Sequence, residues 1–229
     1  MGLQLRDSYD LGAEVACDPL VQVIEDFVSE AERHHIIRLA ADRLNTALVS
    51  AVGDATTSDG RTGRVAWVKH DETAVMHSIV ERVSDLVGIP IGHAESLQVV
   101  HYGTTEQYKP HFDAYDMDTE KGRQRTEQGG QRIVTALMYL NDVDEGGGTI
   151  FPKLDLEVEA KPGRMVIFHN LADHTLADFT RHPKSLHGGS PVVAGQKWAC
   201  NLWFRARPYQ LSSTGPAPSA EGVDAGEFD

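Results

Sequence analysis

Gln131-Arg132-Ile133-Val134-Thr135-Ala136-Leu137-Met138-Tyr139-Leu140 is an apolar run that follows Gly129-Gly130 and ends at Asn141-Asp142. Bounded by turn residues at both ends, it predicts a strand. Similar runs recur at 96–101, 164–169, 191–193 and 197–205, punctuated by Gly and Pro turns. Repeated short strands of this kind predict an α+β fold whose core is a double-sheet jelly roll, or double-stranded β-helix, with flanking N-terminal helices. Upstream, Ser29-Glu30-Ala31-Glu32 is a capping box, followed by Ile36, Ala40 and Leu44 at helical spacing with Ile37 beside them. A second helix is predicted from near Asp71, with Val75, Ile79, Val83 and Leu86 on one face, stopping at Gly88 before Pro90. Both helices should pack on the outside of the sheet.

Within this frame, His111-Phe112-Asp113 places an imidazole and a carboxylate two residues apart, so that in a strand both face the same way. The same triplet also occurs in exposed loops. His187 is a second candidate imidazole far downstream, and two histidines with one carboxylate suit non-haem Fe(II), leaving coordination positions open. His169, His174 and His182 are competing candidates for that second imidazole. Lys197 stands ten residues after His187 and shares strand parity with Ala199, Asn201 and Trp203, which predicts a lysine facing the sheet interior. A buried ammonium requires an anionic partner, and the carboxylate of a bound oxo-acid would supply one. The alternative is a strand-edge lysine reaching solvent.

Further strings extend the pattern: Gln98-Val99-Val100-His101-Tyr102, Tyr108-Lys109-Pro110-His111-Phe112-Asp113-Ala114-Tyr115, and Glu145-Gly146-Gly147-Gly148-Thr149-Ile150-Phe151-Pro152. With a Tyr nine residues before the first His and ten residues from His187 to Lys197, they resemble the catalytic domain of the prolyl 4-hydroxylase family, within the 2-oxoglutarate- and Fe(II)-dependent dioxygenases. The resemblance spans about 20–207. It implies His111, Asp113 and His187 as iron ligands and Lys197 as anchor for the C5 carboxylate of 2-oxoglutarate. Tyr102 would donate to that carboxylate, Thr135 would line the same pocket, and Trp203 would wall it. Arg132 and Arg61 are implied on the substrate side, and Tyr115, with Tyr108 and Trp67, could add to a peptide groove. The implied cofactors are Fe(II), 2-oxoglutarate and O2, with ascorbate as a reductant. A carboxylate at Asp113 favours hydroxylation, because related halogenases leave that position free for halide.

The chain departs from the family pattern in the turn Gly103-Thr104-Thr105-Glu106-Gln107, at Ser190 where cysteine is common, and in Arg61-Thr62-Gly63-Arg64, which lacks the usual serine after Arg-Thr. The resemblance implies prolyl 4-hydroxylation of a peptide or protein. Hydroxylation of a free amino acid or other small molecule stays open, as does a non-catalytic metal-binding jelly roll that binds a partner.

Composition narrows the classes. At 229 residues and 41% hydrophobic content the chain reads as one domain over 1–208, with a helical N-terminal part at about 20–90, a jelly-roll core at about 95–207 and a disordered tail at 209–229. A net charge of -13 argues against a nucleic-acid partner. The two cysteines, Cys17 and Cys200, fit no metal or redox spacing. No leader pattern and no membrane-length apolar stretch are evident, so the expectation is a cytoplasmic protein. Residues 114–130, polar and without apolar periodicity, are expected to be a mobile lid or a disordered insert. The oligomeric state is left open.

Overall fold

The computed structural model describes residues 3–46, 49–50, 55–56 and 62–209. It opens with two strands, β1 (Ala13–Cys17) and β2 (Leu20–Ile24), then helix α1 (Glu30–Ala41). The capping box forms: the Ser29 hydroxyl accepts from the Glu32 amide at 3.4 Å and the Glu32 carboxylate accepts from the Ser29 amide at 2.9 Å. Short strands β3 (Asn45–Thr46), β4 (Val49–Ser50) and β5 (Ala55–Thr56) precede β6 (Arg64–Val68) and helix α2 (Ala74–Val87). This second helix starts later than near Asp71 because Thr73 caps it, its hydroxyl accepting from the Met76 amide at 3.2 Å. Gly88, at φ 70°, ends it in the left-handed region that glycine enters without strain.

The remainder comprises β7 (Leu97–Tyr102), β8 (Tyr108–His111), helix α3 (Glu120–Glu127), β9 (Arg132–Tyr139), β10 (Glu145–Gly146), β11 (Thr149–Phe151), β12 (Leu156–Val158), β13 (Met165–His169), β14 (His187–Gly189), β15 (Val192–Ala194) and β16 (Lys197–Arg205). A large antiparallel sheet runs in the order β1-β2-β13-β9-β16-β7-β6-β3, and a smaller one in the order β12-β11-β14-β8. The expected double-stranded β-helix is the result. Its interior is filled by Val100, Leu137, Tyr139, Val166, Phe168 and Ala199 of the large sheet against Phe151 and Val158 of the small one. On the other face of the large sheet, Val99, Met138, Ile167 and Cys200 meet Ile36 and Ala40 of α1 and Met76, Ile79, Val80 and Val83 of α2. Each aliphatic side chain removed from water here stabilises the fold by roughly 1.5–3 kcal/mol.

Two expectations need correction. The stretch 20–90 is not wholly helical, since β2 and β6 are strands of the large sheet; Leu20-Val21-Gln22-Val23-Ile24 is buried on both faces and so shows no alternation. Nor is 114–130 a structureless insert. Thr119 caps α3, and its last carbonyls receive Arg207, which donates to Thr126 O at 3.0 Å and Glu127 O at 3.3 Å, and Arg205, which donates to Arg125 O at 3.2 Å and Gly130 O at 2.8 Å. Tyr209 also docks on the fold, its amide donating to Gly92 O at 2.7 Å. Residues 210–229, most of the expected tail, lie outside the described residues.

Candidate metal and oxo-acid site

His111 ends β8 and His187 opens β14, and the two are direct partners across these antiparallel strands, so their rings meet at 4.5 Å between centroids. Asp113 lies just past the end of β8. Its Oδ1 is 3.7 Å from His111 Nε2 and its Oδ2 is 3.5 Å from His187 Nε2. One donor atom from each residue falls within 4.8 Å of the others, and all three side chains are buried. Both rings are oriented from behind: His111 Nδ1 meets Lys109 O at 2.9 Å and His187 Nδ1 meets Ser185 O at 2.9 Å. A carbonyl can only accept, so each Nδ1 carries the proton and each Nε2 turns its lone pair toward Asp113. Burial pushes the Asp113 carboxyl up, but His187, His111 and Arg132 outweigh it and hold the group below the usual carboxylate range.

The triad opens onto a cavity that Lys197, Ala199, Asn201 and Trp203 of β16 line together, as their shared parity requires. Lys197 pairs with Tyr102 across the sheet. Its Nζ lies 5.3 Å from the Tyr139 ring centroid and 5.8 Å from that of Tyr102, and it donates to Gly148 O at 3.5 Å. Among the described residues no carboxylate stands within ion-pair distance of it. Burial lowers its pKa from the ordinary 10.5 to about 8.

At the other end, Arg132 sits over Trp203, its guanidinium carbon 3.7 Å from the ring centroid, and grips Glu95 through two bonds of 2.7 and 2.9 Å. Arg205 donates to the same carboxylate at 2.5 Å. Trp67 sits 6.1 Å from Trp203, and the Tyr108 ring stacks on His111 at 3.6 Å. Arg132 and Thr135 have opposite parity, yet both turn toward the metal end. A register shift in the β9–β16 ladder near Arg132 and Arg205 provides the extra half-turn.

Comparison with known proteins agrees with this arrangement. A family profile described as the 2OG-Fe(II) oxygenase superfamily matches residues 97–205. Probable prolyl 4-hydroxylase 10 of Arabidopsis thaliana is 34% identical over 218 residues, covering 86% of this chain and 72% of its own length. The chain belongs to the prolyl 4-hydroxylase family. Human prolyl 4-hydroxylase subunit alpha-1 is 36% identical over 191 residues, 82% of this chain and 35% of that subunit. A viral collagen prolyl hydroxylase from Paramecium Bursaria Chlorella virus-1, solved as a 2OG complex, shares the fold with a TM-score of 0.62 at 23% identity, over 81% of this chain and 95% of that one.

For a prolyl 4-hydroxylase family member the residues fit the expected groups. Two imidazole lone pairs and a carboxylate converge as Fe(II) requires, and the buried ammonium lacks the anion that 2-oxoglutarate would bring. Thr135 departs from its expected place: its hydroxyl donates to Asp113 Oδ2 at 2.8 Å, behind the triad, instead of facing the lysine pocket. That place falls to Thr149, which lines the cavity and shares a 2.6 Å hydrogen bond with the buried Tyr139 hydroxyl. Thr149 stood in the Gly-Gly-x-Thr-x-Phe-Pro turn, but nothing in the turn alone marks it as facing Lys197. Tyr115 is half-buried, its ring 5.3 Å from the Arg132 guanidinium and 5.1 Å from that of Arg205, so it supports the mouth more than it faces a groove. Arg61 lies outside the described residues. Of the competing histidines, His169 bonds the Tyr9 hydroxyl at 2.8 Å, His182 bonds Asp18 at 2.8 Å, and His174 faces Asp7. Gly63 fills the position of the missing serine, where a Cβ would come within 2.5 Å of the Tyr102 ring.

Proposed function

We propose that this protein hydroxylates C4 of a prolyl residue in a peptide or protein, consuming 2-oxoglutarate and O2 and releasing succinate and CO2, with trans-4-hydroxyproline as product. The observation that carries the reading is a buried lysine with no carboxylate partner among the described residues, in one cavity with a His-Asp-His cluster. His111, Asp113 and His187 would hold Fe(II); Lys197, with Tyr102 and Thr149, would hold the C5 carboxylate of 2-oxoglutarate. When bound, these groups and O2 supply the oxidising chemistry.

The protein's own part is to bind, orient and exclude water. Lys197 contributes a charge-assisted hydrogen bond in a pocket walled by Tyr102, Tyr139 and Leu137. Arg132, fixed by Glu95 and stacked on Trp203, presents the rim of the same cavity, where a guanidinium edge can donate to a peptide carbonyl. Trp67 and Trp203 offer apolar rings of a size suited to a pyrrolidine. A cytoplasmic site of action belongs to the same reading, supported by two unpaired cysteines, one of them exposed. No helix among the described residues is long and apolar enough to cross a membrane.

The test is iron-dependent succinate formation from 2-oxoglutarate, with ascorbate as reductant and Asp113→Ala as blank, with and without proline peptides. Peptide-stimulated turnover absent from the variant is the expected result. Turnover stimulated only by free proline or another small molecule would overturn the peptidyl assignment and leave the dioxygenase.

A further inference from the structure

The Asp113 carboxylate has two oxygens and, if both were free, could chelate an ion through both and so occupy a coordination position that co-substrate or O2 needs. Oδ2 is not free. It accepts from the Thr135 hydroxyl at 2.8 Å, and that hydroxyl lies 2.9 Å from Asn170 Nδ2. The direction of both bonds follows from chemistry. An ionised carboxylate only accepts, so Thr135 must give it its single hydrogen, and Thr135 must then accept from the Asn170 amide. All three residues are buried, with Asn170 fully enclosed.

Asn170 also reaches the second histidine by its main chain. Its carbonyl accepts from the His182 amide at 2.8 Å, and the His182 carbonyl accepts from the Ser185 hydroxyl at 2.8 Å and the Ser185 amide at 3.0 Å. The Ser185 carbonyl then receives His187 Nδ1 at 2.9 Å. The Asn170 amide donates to Ile133 O at 3.0 Å, next to the register shift that brings Arg132 to the face Thr135 already presents. One buried residue that touches neither cavity nor ligand thus joins the supports of two of the three triad members.

We infer that Thr135 and Asn170 are positioning residues: Asn170 polarises and aims the Thr135 hydroxyl, which engages Asp113 Oδ2 and leaves Oδ1 as a single-oxygen donor to the metal. This rests on the reading of His111, Asp113 and His187 as the metal site. An apolar side chain would satisfy packing at 135 equally well, and valine has nearly the shape of threonine. What valine removes is the hydroxyl.

Mn(II) binding to the purified protein, without 2-oxoglutarate and apart from any turnover, tests this alongside the thermal midpoint. Thr135→Val should weaken Mn(II) about 10- to 100-fold, the range seen when a partner behind a metal ligand is lost. Thr135→Ser, which keeps the hydroxyl, should restore binding. Asn170→Ala should weaken binding in the same direction, and adding it to Thr135→Val should weaken binding no further, because the relay is already cut. Binding within twofold of wild type in a folded Thr135→Val protein would overturn the inference, as would full additivity in the double variant. Asp113→Ala separates the two readings: if it too binds Mn(II) normally, the triad assignment fails; if it abolishes binding while Thr135→Val does not, only the relay fails.

Discussion

Lys197 is held at a cost. Pulled by burial from 10.5 to about 8, its ammonium destabilises the ligand-free fold by roughly 3 kcal/mol at neutral pH, at 1.36 kcal/mol per pH unit. The folded-state value lies below the unfolded one, so this penalty is fully present below pH 8 and lifts as pH rises toward 10.5. Lys197→Met should therefore melt at a higher temperature than wild type at pH 7, with the gap closing at pH 10. The same variant should lose 2-oxoglutarate affinity by about a hundredfold or more, the consequence of leaving one partner of a buried ion pair alone. Calorimetry at the two pH values and co-substrate titration check both halves; a variant no more stable than wild type would show that the lysine is solvated in the empty pocket. In wild type, affinity should fall as pH climbs through 8 and the lysine discharges. Lys197 was legible from strand parity, and His111, Asp113 and His187 from the spacings carried by the family resemblance; Asp113 itself lies past the end of β8, outside the strand its expected parity assumed. Thr149 and Thr135 were not, because their roles depend on which sheet face each strand presents and on a register shift that leaves no mark in composition.

Elements became legible in proportion to their length and their local signals. The capping box of α1, the glycine stop of α2 and the long runs of β9 and β16 appear in the sequence because the interactions that form them are local or strongly periodic. The three-residue strands β11, β12 and β14 are too short to show a period. Helix α3 is the instructive failure: Glu120-Lys121-Gly122-Arg123-Gln124-Arg125-Thr126-Glu127 has no apolar face, and its C-terminal carbonyls are satisfied by arginines about 80 residues away. Arg207→Ala removes two of those bonds without touching Glu95 or the cavity. At about 1 kcal/mol net, backbone amide exchange should quicken several-fold in 120–127 and stay unchanged in β9 and β16. Uniform acceleration across the large sheet would mean that α3 is not an independent opening unit.

At the scale of the molecule, the two sheets bury the site while the chain as a whole carries an excess of acid, 34 Asp and Glu against 21 Lys and Arg, with a pI near 5.2. Among the described residues, the cations that line the cavity, Lys197 and Arg132, are buried, so they act at contact and contribute little to a field felt at a distance. A peptide therefore approaches a surface whose net charge is -13. Attraction of this kind acts on encounter and is screened over about 8 Å at physiological ionic strength. Two proline peptides matched in length, one flanked by lysines and one by glutamates, should differ in kcat/KM by roughly tenfold or more in favour of the basic one at low salt. The difference should reside mainly in KM, because the reacting ring and the triad are the same for both. Raising ionic strength should bring the two together, the basic peptide slowing and the acidic one quickening. A preference that survives 0.5 M salt (about 4 Å screening) would place its origin in direct contacts at the cavity mouth, with Arg132 and its Glu95 partner as the first residues to exchange.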